Sequence, residues 1–249
     1  MSPIDILSIS SYEEFLQLQK RVAEEESIKT FSFSKISFED LEALFNIEDI
    51  SDLTTSTHWA ETHHSLEIES DVEEFLKTLL KKEGKYIHYY FEEDLKIKFI
   101  APILNRVDFT VKPLQLKDFY ESKILYKTDS FTLKGTADFV VSKGLKYAKK
   151  PFFFIQEFKK GLEGSNPEPQ LLAELIAGVE LNSWKSIKGA YIVGENWNFV
   201  ILEKLGKDKY QYFVSRTFNS TNIEDLKQIY KNLLFVKYEI ISIIEKENL

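Results

Sequence analysis

Asp138 and the triplet Glu157-Phe158-Lys159 hold the residue types with which a protein can cut a phosphodiester. Two oxygen ligands would bind a hard divalent cation, and an ammonium would stand beside the attacking water. Acid-any-lysine triplets arise by chance in a chain with 29% charged residues, and Glu83/Lys85, Asp94/Lys96, Glu121/Lys123 and Asp225/Lys227 match equally well. Of these, Asp94 and Asp225 lie in helical patterns, while Glu83 and Glu121 begin or border polar turns. Glu157 alone closes a strongly apolar run, PFFFIQEFK from Pro151, which is short, partly aromatic and preceded by a polar turn at 144–150. The run predicts a central strand buried on both faces. A period of two then puts Glu157 and Lys159 on one face, where the chain leaves the sheet, and turns Phe158 into the packing.

Asp138 has its own setting in TLKGTADFVVS (132–142), a strand pattern entered through Gly135 and the small Thr136 and Ala137. Consecutive strands usually pair, and antiparallel pairing through the intervening turn would bring Asp138 to Glu157. The plainer alternatives are an edge-strand carboxylate facing water at Asp138 and a same-face ion pair at Glu157/Lys159. Next comes GLEGSNPEPQLLAELIAG (161–178), a loop punctuated by glycine and proline, then a helix predicted from near Glu168 with a stripe of Leu171, Leu172, Leu175, Ile176 and Val179. Gln170 falls in its first turn. From there its amide can offer a donor and an acceptor to a phosphate, a base or a water at the end of the preceding strand.

In order and spacing, Gly135-Thr-Ala-Asp138, Glu157-Phe-Lys159 and Gln170 resemble the PD-(D/E)xK nuclease superfamily, in particular its RecB-like branch and related restriction-endonuclease-like proteins. The resemblance covers about 86–193. It implies a mixed α/β (α+β) core of helix, three-stranded meander, helix and strand. It also implies Asp138 and Glu157 as ligands of Mg2+ or Mn2+, the Phe158 carbonyl completing the metal shell, Lys159 orienting the hydrolytic water and Gln170 contacting substrate. Many members add an acid from a preceding helix, and HYYFEEDLKIKFIAPILNRV (88–107) reads as that helix, with Phe91, Leu95, Phe99 and Ile103 in a stripe widened by Ile100 and Leu104. Glu93, between Glu92 and Asp94, is the acid it implies. Where the RecB-like pattern often carries a tyrosine four residues after the glutamine, this chain has Glu174.

The remaining elements must fit around such a core. Residues 1–85 read as a helical region packed on it, with helices at 11–25, 38–45 and 71–82. Residues 86–249 read as the nuclease-like domain. His58, His63 and His64 gather near Trp59 and Glu61, but adjacent residues do not share a helix face and no acid pattern supports zinc. After the glutamine helix, strands at 189–193, 198–205 and 209–215, joined by turns at 194–196 and 206–208, predict an antiparallel extension. A long helix at 221–246 closes the chain, with Leu226, Ile229, Leu233, Val236, Ile240 and Ile243 on one side.

The chain has 249 residues, 43% of them hydrophobic, enough for one elaborated domain. No apolar run approaches the ~20 residues that span a bilayer, and MSPIDILSIS lacks a basic start and a small-residue cleavage site. A cytoplasmic protein without a membrane partner is expected. The absence of cysteine removes disulfides, thiolate zinc sites and cysteine nucleophiles. A net charge of -8, with Arg21, Arg106 and Arg216 the only arginines, argues against a simple phosphate-tracking protein. Lysines at 143, 146, 149, 150, 159 and 160, together with bound cations, partly answer that objection.

The expected function is metal-dependent hydrolysis of nucleic acid, DNA in preference to RNA, with a homodimer if both strands of a duplex are cut. The alternatives are a catalytically inert restriction-endonuclease-like module that binds nucleic acid or protein, and an unrelated α+β protein in which the motif is accidental. The latter would lack a meander joining Asp138 to Glu157.

Overall fold

In the computed structural model, which describes residues 14, 16, 17, 28–51, 66–159 and 166–247, the apolar run ending at Glu157 is a central strand of a mixed sheet. The nine strands of the described residues are β1 (Lys29–Ser32), β2 (Asn46–Asp49), β3 (Leu116–Lys127), β4 (Phe131–Lys143), β5 (Lys149–Lys159), β6 (Ser186–Val193), β7 (Asn196–Gly206), β8 (Lys209–Val214) and β9 (Phe218–Asn219). Strands β3, β4 and β5 form an antiparallel meander, so Asp138 and Glu157 are joined as consecutive-strand pairing predicts. Parallel pairing of β5 with β6 needs a crossover, and the helix at Pro167–Asn182 supplies it. Antiparallel β7 and β8 then extend the sheet, as the turn chemistry at 194–196 and 206–208 predicts.

The helices are α1 (Phe38–Leu44), α2 (Ser70–Glu83), α3 (Glu92–Leu95), α4 (Ala101–Val107), α5 (Pro167–Asn182) and α6 (Ile223–Glu247). They cover both faces of the sheet. On one, α2, α4 and α6 bury Leu76, Ile103, Leu233 and Val236 against Phe139, Phe154, Phe158 and Ile192. On the other, α1 and α5 bury Leu41, Leu172, Leu175 and Ile176 against Leu133, Val140, Ile155 and Val200. This arrangement explains the apolar composition of β5, which from Phe152 to Phe158 has no face in water.

Several expectations need correction. Residues 1–85 are not only helical among the described residues: β1 pairs in parallel with β4, and β2 with β8. Both are four-residue strands without strong alternation, held by pairing and not by propensity. The predicted helix at 88–107 starts only at Glu92, after a 3-10 turn at Ile87–Tyr89, and then runs without interruption through α3, a π-helical turn at Lys96–Ile100 and α4. Phe91 caps α3 from outside and is 71% exposed, so it does not belong to the stripe that Leu95, Phe99 and Ile103 form. Helix α5 is buried all round from Pro167 to Val179, apart from partly buried Glu168, because α1 and the 3-10 turn at Phe33–Lys35 cover the side that faces away from the sheet. In α6, Ile244 and not Ile243 completes the buried stripe. The histidine group and most of the helix expected at 11–25 lie outside the described residues.

Candidate active site

The site is a fork between two strands. Register between β4 and β5 runs from Lys143↔Lys149 to Phe139↔Gln156 and stops there. Beyond it β5 stays with β6 through Lys159↔Val193, while β4 turns toward β1, which pairs with it from Phe131 to Lys134. Gly135 stands at the divergence because Phe33 fills the space beside it: a Cβ there would meet the Phe33 ring at 2.5 Å. The opening leaves the Phe158 amide without a strand partner on the β4 side, and the Asp138 carboxylate takes that role, its Oδ2 accepting from Phe158 N–H at 2.8 Å. One carboxylate oxygen is thereby fixed by the backbone of the other strand.

Glu157, next in the chain, points to the face covered by α5 and is 1% exposed. Its Oε1 accepts from the Lys159 ammonium, the same-face pair that the strand period predicts. Its Oε2 is buried without a hydrogen-bond partner among the described residues. Burial first, and the charge of Asp138 second, push the Glu157 carboxyl up to about 8, although Lys159 opposes the change. Burial pulls the Lys159 ammonium down, but Glu157 and Asp138 outweigh it and the net displacement is upward.

Gln170 and Glu174 sit one turn apart on α5. Gln170 Nε2 donates to Glu174 Oε1 at 3.1 Å, which commits one of its two N–H donors within the helix. Glu174 is fully buried, and burial followed by the charge of Glu157 holds its carboxyl well above the usual range. Its Oε2 likewise has no partner among the described residues. On the neighbouring strand, Tyr191 is the register partner of Glu157, and its hydroxyl donates to Glu168 Oε2 at 3.3 Å in the first turn of α5.

The helix that precedes the meander contributes differently from the expectation. The Glu93 carboxylate is 72% exposed and meets the site only through Lys96, whose ammonium donates to Glu93 Oε1 at 3.3 Å. Lys96 is the buried charged residue of this segment. It also donates to Asp138 Oδ1 at 3.3 Å and to Glu121 Oε1 at 3.0 Å. Burial works against the Lys96 cation, yet Asp138 and Glu121 more than compensate and raise its pKa.

Composition alone could not single out Lys96 or Glu174, since both look like ordinary helix-face charges. The detectable signal is position: each stands on the apolar stripe of its own helix, four residues before Ile100 and three after Leu171. Asp138, Glu157, Phe158 and Lys159 are brought together, Gln170 joins them through Glu174, and Glu93 remains at the rim.

No protein-family model matches the chain, and no curated protein matches it in sequence. Among the described residues no three His, Asp or Glu side chains form a ready-made metal cage. The donors at the fork nonetheless fit a hard cation: the charge of Asp138 raises the proton affinity of Glu157, and buried Glu157 Oε2 has no partner. Among the described residues no helix is long and apolar enough to cross a membrane.

Proposed function

We propose that the protein is a Mg2+- or Mn2+-dependent nuclease of the PD-(D/E)xK type, hydrolysing phosphodiester bonds of nucleic acid, with DNA as the first substrate to test. The observation that carries this reading is the β4/β5 fork. There Asp138 caps the Phe158 amide, and Glu157, paired with Lys159, is buried beside it with one oxygen unpartnered. The element order supports a restriction-endonuclease-like core: helix, β3–β4–β5 meander, α5 crossover and parallel β6.

Asp138 and Glu157 would hold the ion, with the Phe158 carbonyl beside them. When bound, the ion supplies positive charge to a phosphate oxygen and acidifies a water. The chain's own residues do the rest. The Phe158 amide fixes the Asp138 carboxylate so that its orientation costs nothing when substrate arrives. Glu157 must give up its proton to act as a ligand, and the adjacent Lys159 ammonium favours the ionised form. Lys159, partly exposed beside Glu157, is the group able to orient a water at the mouth of the fork. Gln170, one N–H of which is held by Glu174, would offer its amide oxygen and second N–H to substrate.

The test is cleavage of plasmid, duplex and single-stranded oligonucleotides with Mn2+ by the wild type and by Asp138→Ala, Glu157→Ala and Lys159→Ala. Each variant should lose at least about a hundredfold in rate while keeping its circular dichroism. Undiminished cleavage by all of them would overturn the assignment. One observation favours the inert-module reading: both Asp138 oxygens already have partners, in Phe158 N–H and Lys96. Calorimetric titration with Mn2+ separates the two, because an inert module binds no ion that depends on Asp138 and Glu157.

A further inference from the structure

Lys96 is a buried ammonium surrounded by three carboxylates that differ in exposure. The Asp138 side chain is 12% exposed, whereas those of Glu121 and Glu93 are 61% and 72% exposed. The ammonium thus stands between an inner acceptor and two outer ones, all within 3.3 Å. The backbone on both sides departs from regular geometry to place these groups. Lys96 opens a π-helical turn, an irregularity that recurs at functional sites. Glu121 follows Tyr120, the register partner of Phe139, so it lies opposite Asp138; it holds φ 53 in mid-strand, a left-handed conformation costly for a residue with a side chain. A salt bridge needed only to balance Asp138 would not require the outer pair.

We propose that Lys96 is the resident counter-cation of the fork, which a divalent ion displaces: the ammonium holds Asp138 Oδ1 when the site is empty of metal and withdraws onto Glu121 and Glu93 when an ion takes that oxygen. This rests on the reading of the fork as a metal site. The lysine is then a positioning residue that couples metal binding to a rearrangement between α3 and β3. It keeps a buried carboxylate compensated without metal, where an unpaired charge would be costly. It also lowers metal affinity by the free energy of the exchange.

The experiment is calorimetric titration with Mn2+ of the full chain and of Lys96→Met and Lys96→Arg, with melting temperature recorded before and after metal. Lys96→Met removes the competitor, so affinity should rise about tenfold, with a lower metal-free melting temperature and a larger rise on adding metal. Lys96→Arg keeps the charge and grips a carboxylate by a planar fork, so affinity should fall about tenfold. Opposite signs in the two variants support the exchange. Weaker binding in Lys96→Met, or equal affinity in all three proteins, overturns it. If Lys96→Met does not fold, Lys96→Arg decides alone, and unchanged or tighter binding there overturns the proposal. Failure of the underlying reading looks different: no protein, Lys96→Met included, would bind Mn2+ in a way that Asp138→Ala abolishes.

Discussion

Replacing Glu157 by glutamine in the metal-free protein should change the pH dependence of stability in one direction only. The Glu157 carboxyl moves from 4.5 to about 8 on folding, driven first by burial and then by Asp138. A group whose folded pKa is raised contributes stability that is fully present below the unfolded pKa and is lost as pH rises through the folded one. Wild-type stability should therefore decline from about pH 4.5 to about pH 8, as the unfolded chain releases a proton that the folded chain retains. At roughly 1.4 kcal/mol for each unit of difference, the ceiling is about 5 kcal/mol. Asp138 and Lys159 relax around the same proton and take up part of this, so a change of at least about 2 kcal/mol is expected. Glutamine has the same shape, can accept from Lys159 and does not titrate. Glu174, also held neutral by burial, contributes to the slope in both proteins, and subtraction removes most of its effect. The assay is urea unfolding by fluorescence in chelator at half-unit intervals from pH 5 to 8.5. Relative to wild type, Glu157→Gln should gain stability steadily up to about pH 8. Parallel curves for the two proteins would refute the argument, since they would mean that Glu157 titrates alike in the folded and unfolded chains.

The same proton should appear in metal binding. At pH 7, Mn2+ should release close to one proton per ion, read from the dependence of binding heat on buffer ionisation enthalpy, and heat independent of the buffer would contradict a protonated Glu157. Gly135→Ala places a Cβ 2.5 Å from the buried Phe33 ring and should cost about 1–3 kcal/mol in urea unfolding, whereas a loss below about half a kcal/mol would show that Phe33 does not wedge the fork. Gln156 is fully buried with neither amide atom partnered among the described residues, so Gln156→Leu should raise stability by about 1–2 kcal/mol; a decrease would show that the amide is satisfied in solution.

How much of this was legible in the sequence depends on whether the cause was local. The strand ending at Glu157 could be read because its apolar residues leave no face for water, and the pairing of Glu157 with Lys159 follows from the strand period alone. The β4–β5 meander could be read because a polar turn separates consecutive strand patterns. Strand β3 could not. Its buried residues run Leu116, Phe119, Ser122 and Ile124, a spacing that breaks alternation twice, the second time across Glu121 at φ 53. The strands β1 and β2 were hidden for another reason: four-residue segments carry too little pattern, and only their partners β4 and β8 make them strands.

The site divides along the same line, and the division bears on mechanism. Asp138, Glu157 and Lys159 are placed by the backbone of two adjacent strands, so residue type and spacing suffice to find them. Lys96 and Glu174 arrive from helices on opposite faces of the sheet, and although each has a neighbour on its own helix, Glu93 and Gln170, nothing near either in sequence points to the strand carboxylates it meets. What marks each is a charged residue on an apolar helix stripe, a position that is unfavourable unless a compensating group lies across the interface. The two solve that problem in opposite ways. Lys96 keeps its charge by gathering carboxylates, and Glu174 gives its charge up. Metal-free, the fork thus stays compensated because an ammonium stands against Asp138 and protons remain on Glu157 and Glu174. A divalent ion that binds there must replace an ammonium contact at Asp138 and a proton at Glu157, so its apparent affinity should depend on pH and on residue 96 independently. Measuring affinity at pH 6.5 and 8.5 in wild type and Lys96→Met tests this: the gain with pH should be of similar size in both proteins, and its disappearance in Lys96→Met would show that one group, not two, guards the site.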